Sequence, residues 1–225
     1  MDAEKAVVAK DGAVPTKKQA QTEVAKRKIC AAVIACLDEH GYCETTINRV
    51  QEAAGVTRGA LTHHFPSKEA MMVETVERLL EPARAPVRRR SLDGRRAGSC
   101  GETDHTSRTA EADILGLWTH VVNTSEGRAL VEILVAARTD KTLHFRIAPS
   151  LQTYHHDISE GVLALYKSVD RGDDDVAVLW SICRVFLRGL HMQERFETDP
   201  GATDRIMQRF AEIIGARMSV RQQSG

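Results

Sequence analysis

Residues 45 to 70 constrain this chain more than any other part, because capping residues, short apolar stripes and one glycine alternate there as they do in two short helices joined by a tight turn. Either Thr45 or Thr46 can cap the first helix with its hydroxyl, Ile47, Val50 and Ala54 line its inner face, and Gly55 supplies the sharp turn that ends it. Val56 plugs the angle between the helices. Thr57 is the next cap, and it opens a run in which Leu61 and Phe65, four apart, point inward and leave Thr57, Arg58, Thr62 and His63 pointing out. The pattern predicts a helix-turn-helix whose outward residues face DNA.

Upstream, Ile29, Ala32, Val33, Cys36 and Leu37 follow the i, i+3, i+4, i+7, i+8 spacing of one buried helical stripe, which Gly41 ends. With the two short helices this makes a three-helix reading domain over 23–66, its core formed by Ile29, Val33, Leu37, Ile47, Val50, Val56, Leu61 and Phe65. So small a core is weak on its own. Residues 1–22 show no clean periodicity and read as a mobile arm that orders in part on DNA. Net charge is zero, yet Lys5, Lys10, Lys17, Lys18, Lys26, Arg27 and Lys28 gather near the start and would attract phosphates, while Asp173, Asp174 and Asp175 balance them late in the chain.

The run Gly55-Val56-Thr57-Arg58-Gly59-Ala60-Leu61-Thr62-His63-His64-Phe65-Pro66-Ser67-Lys68-Glu69-Ala70 resembles the recognition segment of the tetracycline-repressor (TetR) family, with its Gly-Val turn, its Leu-x-x-His-Phe core and its Ser-Lys-Glu helix start. One position departs: Thr62 stands where the family usually has Tyr, and it does not reach as far. The resemblance implies a two-fold dimer, paired through the last two long helices as a four-helix bundle. It also implies a transcriptional regulator, usually a repressor, that a small-molecule effector releases from DNA.

Beyond the motif, Ser67 caps a fourth helix with Met72, Val76, Leu79 and Leu80 on its apolar side, which stops near Glu81 or kinks there because Pro82 and Pro86 follow. Residues 88 to 108, rich in Arg, Gly and Ser, read as a long exposed loop. Helical periodicity then continues through Ile114 to Val122, Leu130 to Leu134 and Leu151 to Leu165. Val176, Leu179, Cys183, Phe186 and Leu190 form a further stripe, and Ile206, Phe210, Ile213 and Ile214 form the last after the Asp199-Pro200-Gly201 break. No strand alternation is visible, so the expected fold is all-α, with residues 67–225 as an effector-binding and dimerisation domain. The expected dimer residues are Leu179, Cys183, Phe186, Leu190, Ile206, Phe210 and Ile213, with Gly189 allowing close helix approach; the alternative is that both helices bury these faces within one subunit.

Arg58 is the candidate base reader, because its planar fork matches guanine, and Gly59 lets the backbone come close. Thr46 and Thr57 stand at helix starts suited to holding phosphate, and Thr62, His63, His64 and Lys68 complete the expected DNA-facing set. Trp118, His144, Tyr154 and His155 are candidate linings for an effector cavity, or else ordinary core. His63-His64 and His155-His156 are adjacent pairs about 100° apart on a helix, a poor grip for one ion, so no metal or cofactor is expected. The five cysteines form no Cys-x-x-Cys pair and read as reduced thiols, with Cys100 in an exposed stretch the candidate redox switch.

No apolar run approaches the ~18 residues of a membrane span and no signal peptide opens the chain, which predicts a cytoplasmic protein. Neither a Gly-x-Ser-x-Gly elbow nor a phosphate-cradling glycine loop is present, and no paired carboxylates sit in an apolar setting, which excludes the common enzyme classes. The expectation is a dimeric regulator on an inverted-repeat operator, controlled by a small molecule. The competing reading is a constitutive helical DNA-binding regulator with no effector.

Overall fold

A computed structural model describes residues 16–84 and 109–221, the side chains of 82–84 excepted. In order, the elements are α1 (Lys17–Glu44), α2 (Ile47–Ala54), α3 (Arg58–His64), α4 (Lys68–Arg84) and α5 (Ala110–Leu117). A single π turn (Trp118–Val122) follows, then α6 (Ser125–Ala136), α7 (Lys141–Leu165), β1 (Tyr166–Ser168), α8 (Asp174–Glu194), α9 (Ala202–Gly215) and β2 (Met218–Val220).

The first helix begins earlier than its hydrophobic stripe suggests. Thr16 accepts from the Gln19 amide while Gln19 accepts from the Thr16 amide, a reciprocal cap that starts α1 at Lys17. The last part of the expected mobile arm, residues 17–22, is therefore helical; residues 1–15 lie outside the described residues. Lys26 and Arg27, counted with the free basic charge, are committed to Glu74 at 3.0 Å and Glu23 at 3.1 Å.

Gly41 breaks α1 with a φ of +74°, a backbone conformation that any side chain would strain. The break leaves the Tyr42 N–H without a helical partner, and Glu132 of α6 accepts it at 3.1 Å. Thr45, fully buried, donates its hydroxyl back to the Gly41 carbonyl at 2.7 Å, so Thr46 rather than Thr45 caps α2.

Two apolar clusters hold the molecule. The first contains the expected core, with Ile47 and Val56 at its margin, but does not stop at residue 66: Met72, Val76 and Leu80 of α4, Ile133 of α6 and Leu143 and Ile147 of α7 share it. This shared packing remedies the smallness of the three-helix core. The second cluster joins α5, the π turn, the end of α7, α8 and α9 around Trp118, Trp180, Cys183, Leu187 and Phe210.

Two expectations along the chain are corrected. Helix α4 does not stop at Glu81 but runs through Pro82 to Arg84, with Pro82 removing one backbone donor from its last turn. A small antiparallel ribbon also exists, pairing Tyr166 with Val220 and Ser168 with Met218. Three-residue strands are too short to show alternation in a sequence. The ribbon pins the end of α7 to the chain that leaves α9. Tyr166, buried there, donates its hydroxyl to Asp113 of α5 and stacks on Trp180 at 6.5 Å, and Arg221 donates to the carbonyls of Leu163 and Tyr166, both at 2.9 Å. The expected loop over 88–108, with Cys100, lies outside the described residues.

Close approach fixes one further joint. A Cβ on Gly127, in the first turn of α6, would lie 2.0 Å from the Val122 carbonyl oxygen, so only glycine lets α6 start against the π turn.

Ion pairs clasp α1 to its neighbours. Arg78 of α4 reaches Glu23 of α1 at 2.9 Å and Glu74 at 2.7 Å, and Arg128 of α6 grips Asp38 of α1 with both arms, one at 2.8 Å. The Arg78 hydrogen bond holds the Glu23 carboxyl below its ordinary value, and that of Arg128 does the same for Asp38. Burial of Glu74 opposes such a shift but is outweighed by Lys26 and Arg78. Carboxyls depressed in the folded state add stability above their unfolded pKa, and this is lost as pH falls through the folded one. The melting temperature should therefore drop progressively below about pH 4, with a shallower drop in Asp38→Asn, read by thermal denaturation across a pH series.

Candidate nucleic-acid interface

Helices α2 and α3 meet at Gly55, whose φ of +57° closes α2 with its amide bonded back into the last turn. Leu61 and Phe65 are buried and anchor α3 in the first cluster, which leaves Thr57, Arg58, Gly59, Thr62 and His63 exposed along one edge. His64 is half-buried, its ring 5.3 Å from that of His63 in an edge contact. A Cβ on Gly59 would meet nothing within 4 Å, so the backbone there is open to close approach.

The cap hydroxyls do local work first. Thr57 accepts from the Ala60 amide at 3.2 Å and Thr46 from the Arg49 amide at 3.3 Å, and each keeps a hydroxyl proton that a phosphate oxygen could accept. Thr62 instead donates to the Arg58 carbonyl at 2.9 Å, which spends its proton inside α3. The Arg58 guanidinium donates to Asn48 of α2, also exposed. That partner was missed in the sequence, where nothing ties residues ten apart across the turn; one planar donor fork is thus steadied by an amide on the neighbouring helix.

Lys68 is placed differently from its expected role. Its ammonium is half-buried, donates to the carbonyls of Tyr42 at 2.5 Å and Cys43 at 3.4 Å, and lies 4.1 Å from the centre of the Tyr42 ring. Burial pushes its pKa down from the ordinary lysine value. Because α1 breaks at Gly41, its last carbonyls need a donor, and Lys68 supplies one instead of reaching outward to a DNA strand.

The candidate effector residues do not share one site. His144 and His155 line a cavity of about 540 Å³ between the end of α6 and α7, with Leu134, Ile147 and Leu151. Tyr154 lies beside His155 at 5.6 Å and packs against both apolar clusters. Trp118 is not in that wall; it is buried in the second cluster, its ring 6.5 Å from His191. A second cavity of about 460 Å³, where α1 meets the ends of α6 and α8, is lined by Asp38, Arg128, His191 and Glu194.

The expected dimer set also divides. Cys183 is fully buried in its own subunit, Leu179, Leu190 and Phe210 are nearly so, and Phe186 stacks on Phe210 at 3.8 Å. These five face inward. Ile206 and Ile213 are exposed, and they share that exposure with Val178, Ile182 (46%), Val185 (69%) and Met192, a second apolar stripe on α8 that the inner stripe hid in the sequence.

Among the described residues no three His, Cys, Asp or Glu side chains converge as a metal site requires, and no helix is long and apolar enough to cross a membrane.

An exposed second helix of a tight pair, carried on a larger helical body, defines a helix-turn-helix DNA-binding protein. Residues 29–75 match the bacterial regulatory proteins of the tetR family. The chain is 27% identical over 193 residues to the HTH-type transcriptional regulator CymR of Pseudomonas putida, a match covering 84% of this chain and 89% of that one. Other curated repressors match over 48 to 69 residues, and this chain spans only 26–37% of their length. Among solved structures, a TetR transcription regulator from Haloarcula marismortui has a TM-score of 0.59 at 16% identity, covering 88% of this chain and 100% of that one. A Saccharomonospora viridis protein solved in complex with choline has a TM-score of 0.59 at 16% identity, covering 89% and 100%. Residues 29–75 thus carry the DNA-binding segment of tetR-family regulators, and the relatives that this chain resembles are transcriptional regulators.

The structural role of Lys68 has a measurable consequence. Lys68→Ala should lower stability by about 1 kcal/mol, because the half-buried Tyr42 carbonyl loses its charged donor, and chemical denaturation should show it as a lower midpoint at unchanged slope.

Proposed function

We propose that this protein is a homodimeric cytoplasmic repressor that occupies an inverted-repeat operator and is released by a small molecule bound in its body. The observation that carries the reading is the α3 edge: Thr57, Arg58, Gly59, Thr62 and His63 stand exposed together while Leu61 and Phe65 anchor the helix from behind. In this reading Arg58, steadied by Asn48, reads a base edge in the major groove, and Thr46, Thr57, His63 and His64 hold phosphates. Arg58→Ala should weaken the cognate operator by about 1–3 kcal/mol per half-site and random DNA little. Fluorescence anisotropy decides this; equal harm to random DNA would make Arg58 a phosphate contact.

The dimer is assigned to the uncovered stripe of α8 and its neighbours on α9. Val178, Ile182, Val185, Gly189 and Met192 recur at i, i+4, i+7, i+11 and i+14, the spacing of a seam between paired helices, and Ile206 and Ile213 extend it. A Cβ on Gly189 would meet nothing within 4 Å, which leaves room for a second helix to come close. Two-fold symmetry then places two α3 helices about one DNA turn apart, ~34 Å, or a multiple of it. Ile182→Asp should give monomers in light scattering while circular dichroism stays helical, since a charge in that seam lacks a partner and costs several kcal/mol.

Effector release is supported by the way the head is held. Helix α4 carries the reading helices, but α1 is also gripped by α6 through Asp38–Arg128 and Tyr42–Glu132, so a shift of α6 relative to α7 reaches the head directly. The cavity with His144 and His155 lies between those helices. The choline complex of the Saccharomonospora viridis relative supports a small-molecule site in a body of this fold. Linkage requires reciprocity: an effector that lowers operator affinity a hundredfold is itself weakened a hundredfold by operator, about 2.7 kcal/mol each way. Calorimetry with and without operator measures both. A tightly bound natural ligand with no effect on operator affinity would favour the constitutive regulator instead.

A further inference from the structure

The outward face of α1 carries positive charge that the protein itself does not use. Lys17, Gln21, Val24 and Lys28 recur at i, i+4, i+7 and i+11 and so share one face of the helix, and all four are exposed. Val24 is 67% exposed, so among the described residues nothing covers this face. The adjoining flank turns to the body: Glu23 and Lys26 meet Arg78 and Glu74 of α4 there, and Ile29 and Cys30 enter the first apolar cluster. From Lys17 to Lys28 the outward stripe holds two ammonium groups and no carboxylate.

Lys28 is the better placed of the two. Its neighbours one helical turn away are Val24, Ala25, Ala31 and Ala32, none of which can pair with it. Lys26 is taken by Glu74 and Arg27 by Glu23, whereas Lys28 has neither ion pair nor hydrogen bond among the described residues. Its Nζ instead lies 3.8 Å from the point where a Cβ on Gly55 would stand, against the exposed turn that joins α2 to α3. The negative end of the α2 dipole favours an ammonium there and holds it in place in the free protein. Helix α1 thus brings a charge to within two residues of Thr57, where the exposed edge of α3 begins. Cations on the neighbouring helices are engaged: Arg49 with Glu44 at 3.5 Å, Arg58 with Asn48, Lys68 with the carbonyls of Tyr42 and Cys43, and Arg78 with Glu23 and Glu74.

We propose that this face of α1 is a phosphate-binding surface for double-stranded DNA, in which Lys28 adds a sequence-independent backbone contact beside the turn at Gly55 and Lys17 extends it along the helix. A duplex carries about one negative charge per 1.7 Å of its axis, and a stripe of cations without carboxylates, continuous with the α3 edge, is complementary to it. The surface rests on the DNA reading of α3 and supplies what that edge lacks, a cation with no partner inside the protein.

The test is the salt dependence of binding, read on the full chain by fluorescence anisotropy with a duplex of random sequence about three helical turns long. Each phosphate contact contributes about 0.9 to the slope of log K against log salt over about 50–200 mM. Lys28→Gln should flatten that slope by about one unit per bound subunit, and Lys28→Arg should keep it. Arg27→Gln removes an equal charge one residue away, on a flank already paired with Glu23, and should change the slope far less. A slope untouched by Lys28→Gln overturns the proposal and makes Lys28 a partner of the α2 terminus alone. An equal loss in Arg27→Gln also overturns it, because net charge is then the cause. Should Lys28→Gln fail to fold by circular dichroism, Lys17→Gln is read in the same way at the other end of the stripe. A wild-type chain that binds no duplex sinks the DNA reading of α3 together with this surface, whereas one that binds with the same slope in Lys28→Gln sinks this surface alone.

Discussion

The seam between α1 and α6 is what the rest of the structure depends on. Gly41 breaks α1 and frees one amide, Glu132 takes it, Asp38 and Arg128 lock the helices a turn away, and Ile133 and Ala129 fill the space between. None of these interactions is large alone, and half-exposed ion pairs are worth little singly. Together they fix how the reading head sits on the body. A head bound only through α4 could swivel about one helix; held at α4 and α6 it has one orientation, and changing it requires the body to change.

The same seam shows why one part of the fold was legible and another was not. The helix-turn-helix can be read because its determinants are local: Thr46 and Thr57 cap within three residues, Gly55 closes its own helix, and Leu61 and Phe65 share a face by spacing alone. Arg128 and Asp38 are ninety positions apart, as are Glu132 and Tyr42, and no periodicity links them. Lys68 looked like a phosphate contact because its partners, the carbonyls of Tyr42 and Cys43, are backbone groups exposed only by the break at Gly41.

Helix α8 was misread for a different reason. It is apolar on two sides, and the sequence carries both stripes without saying which one its own subunit covers. Leu179, Cys183 and Leu190 belong to the inner face and Val178, Ile182 and Val185 to the outer, one residue out of step with each other. The effector residues divided along the same lines: His144 and His155 share a helix face and a cavity, while Trp118, chosen by chemistry alone, is sealed in the second cluster.

Helix α3 has only seven residues, and its length limits what it can recognise. At about 1.5 Å per residue it is roughly 10 Å long, the span of about three base pairs. In the dimer proposed above, two such helices would specify about six, a word that random sequence repeats about once in four thousand positions, against the million or more competing sites a genome offers. The head therefore cannot find one address by spelling alone. On that proposal the remaining discrimination would come from how readily the untouched DNA between the half-sites bends and twists to meet the two helices, which would make the stiffness of the protein itself part of its reading code.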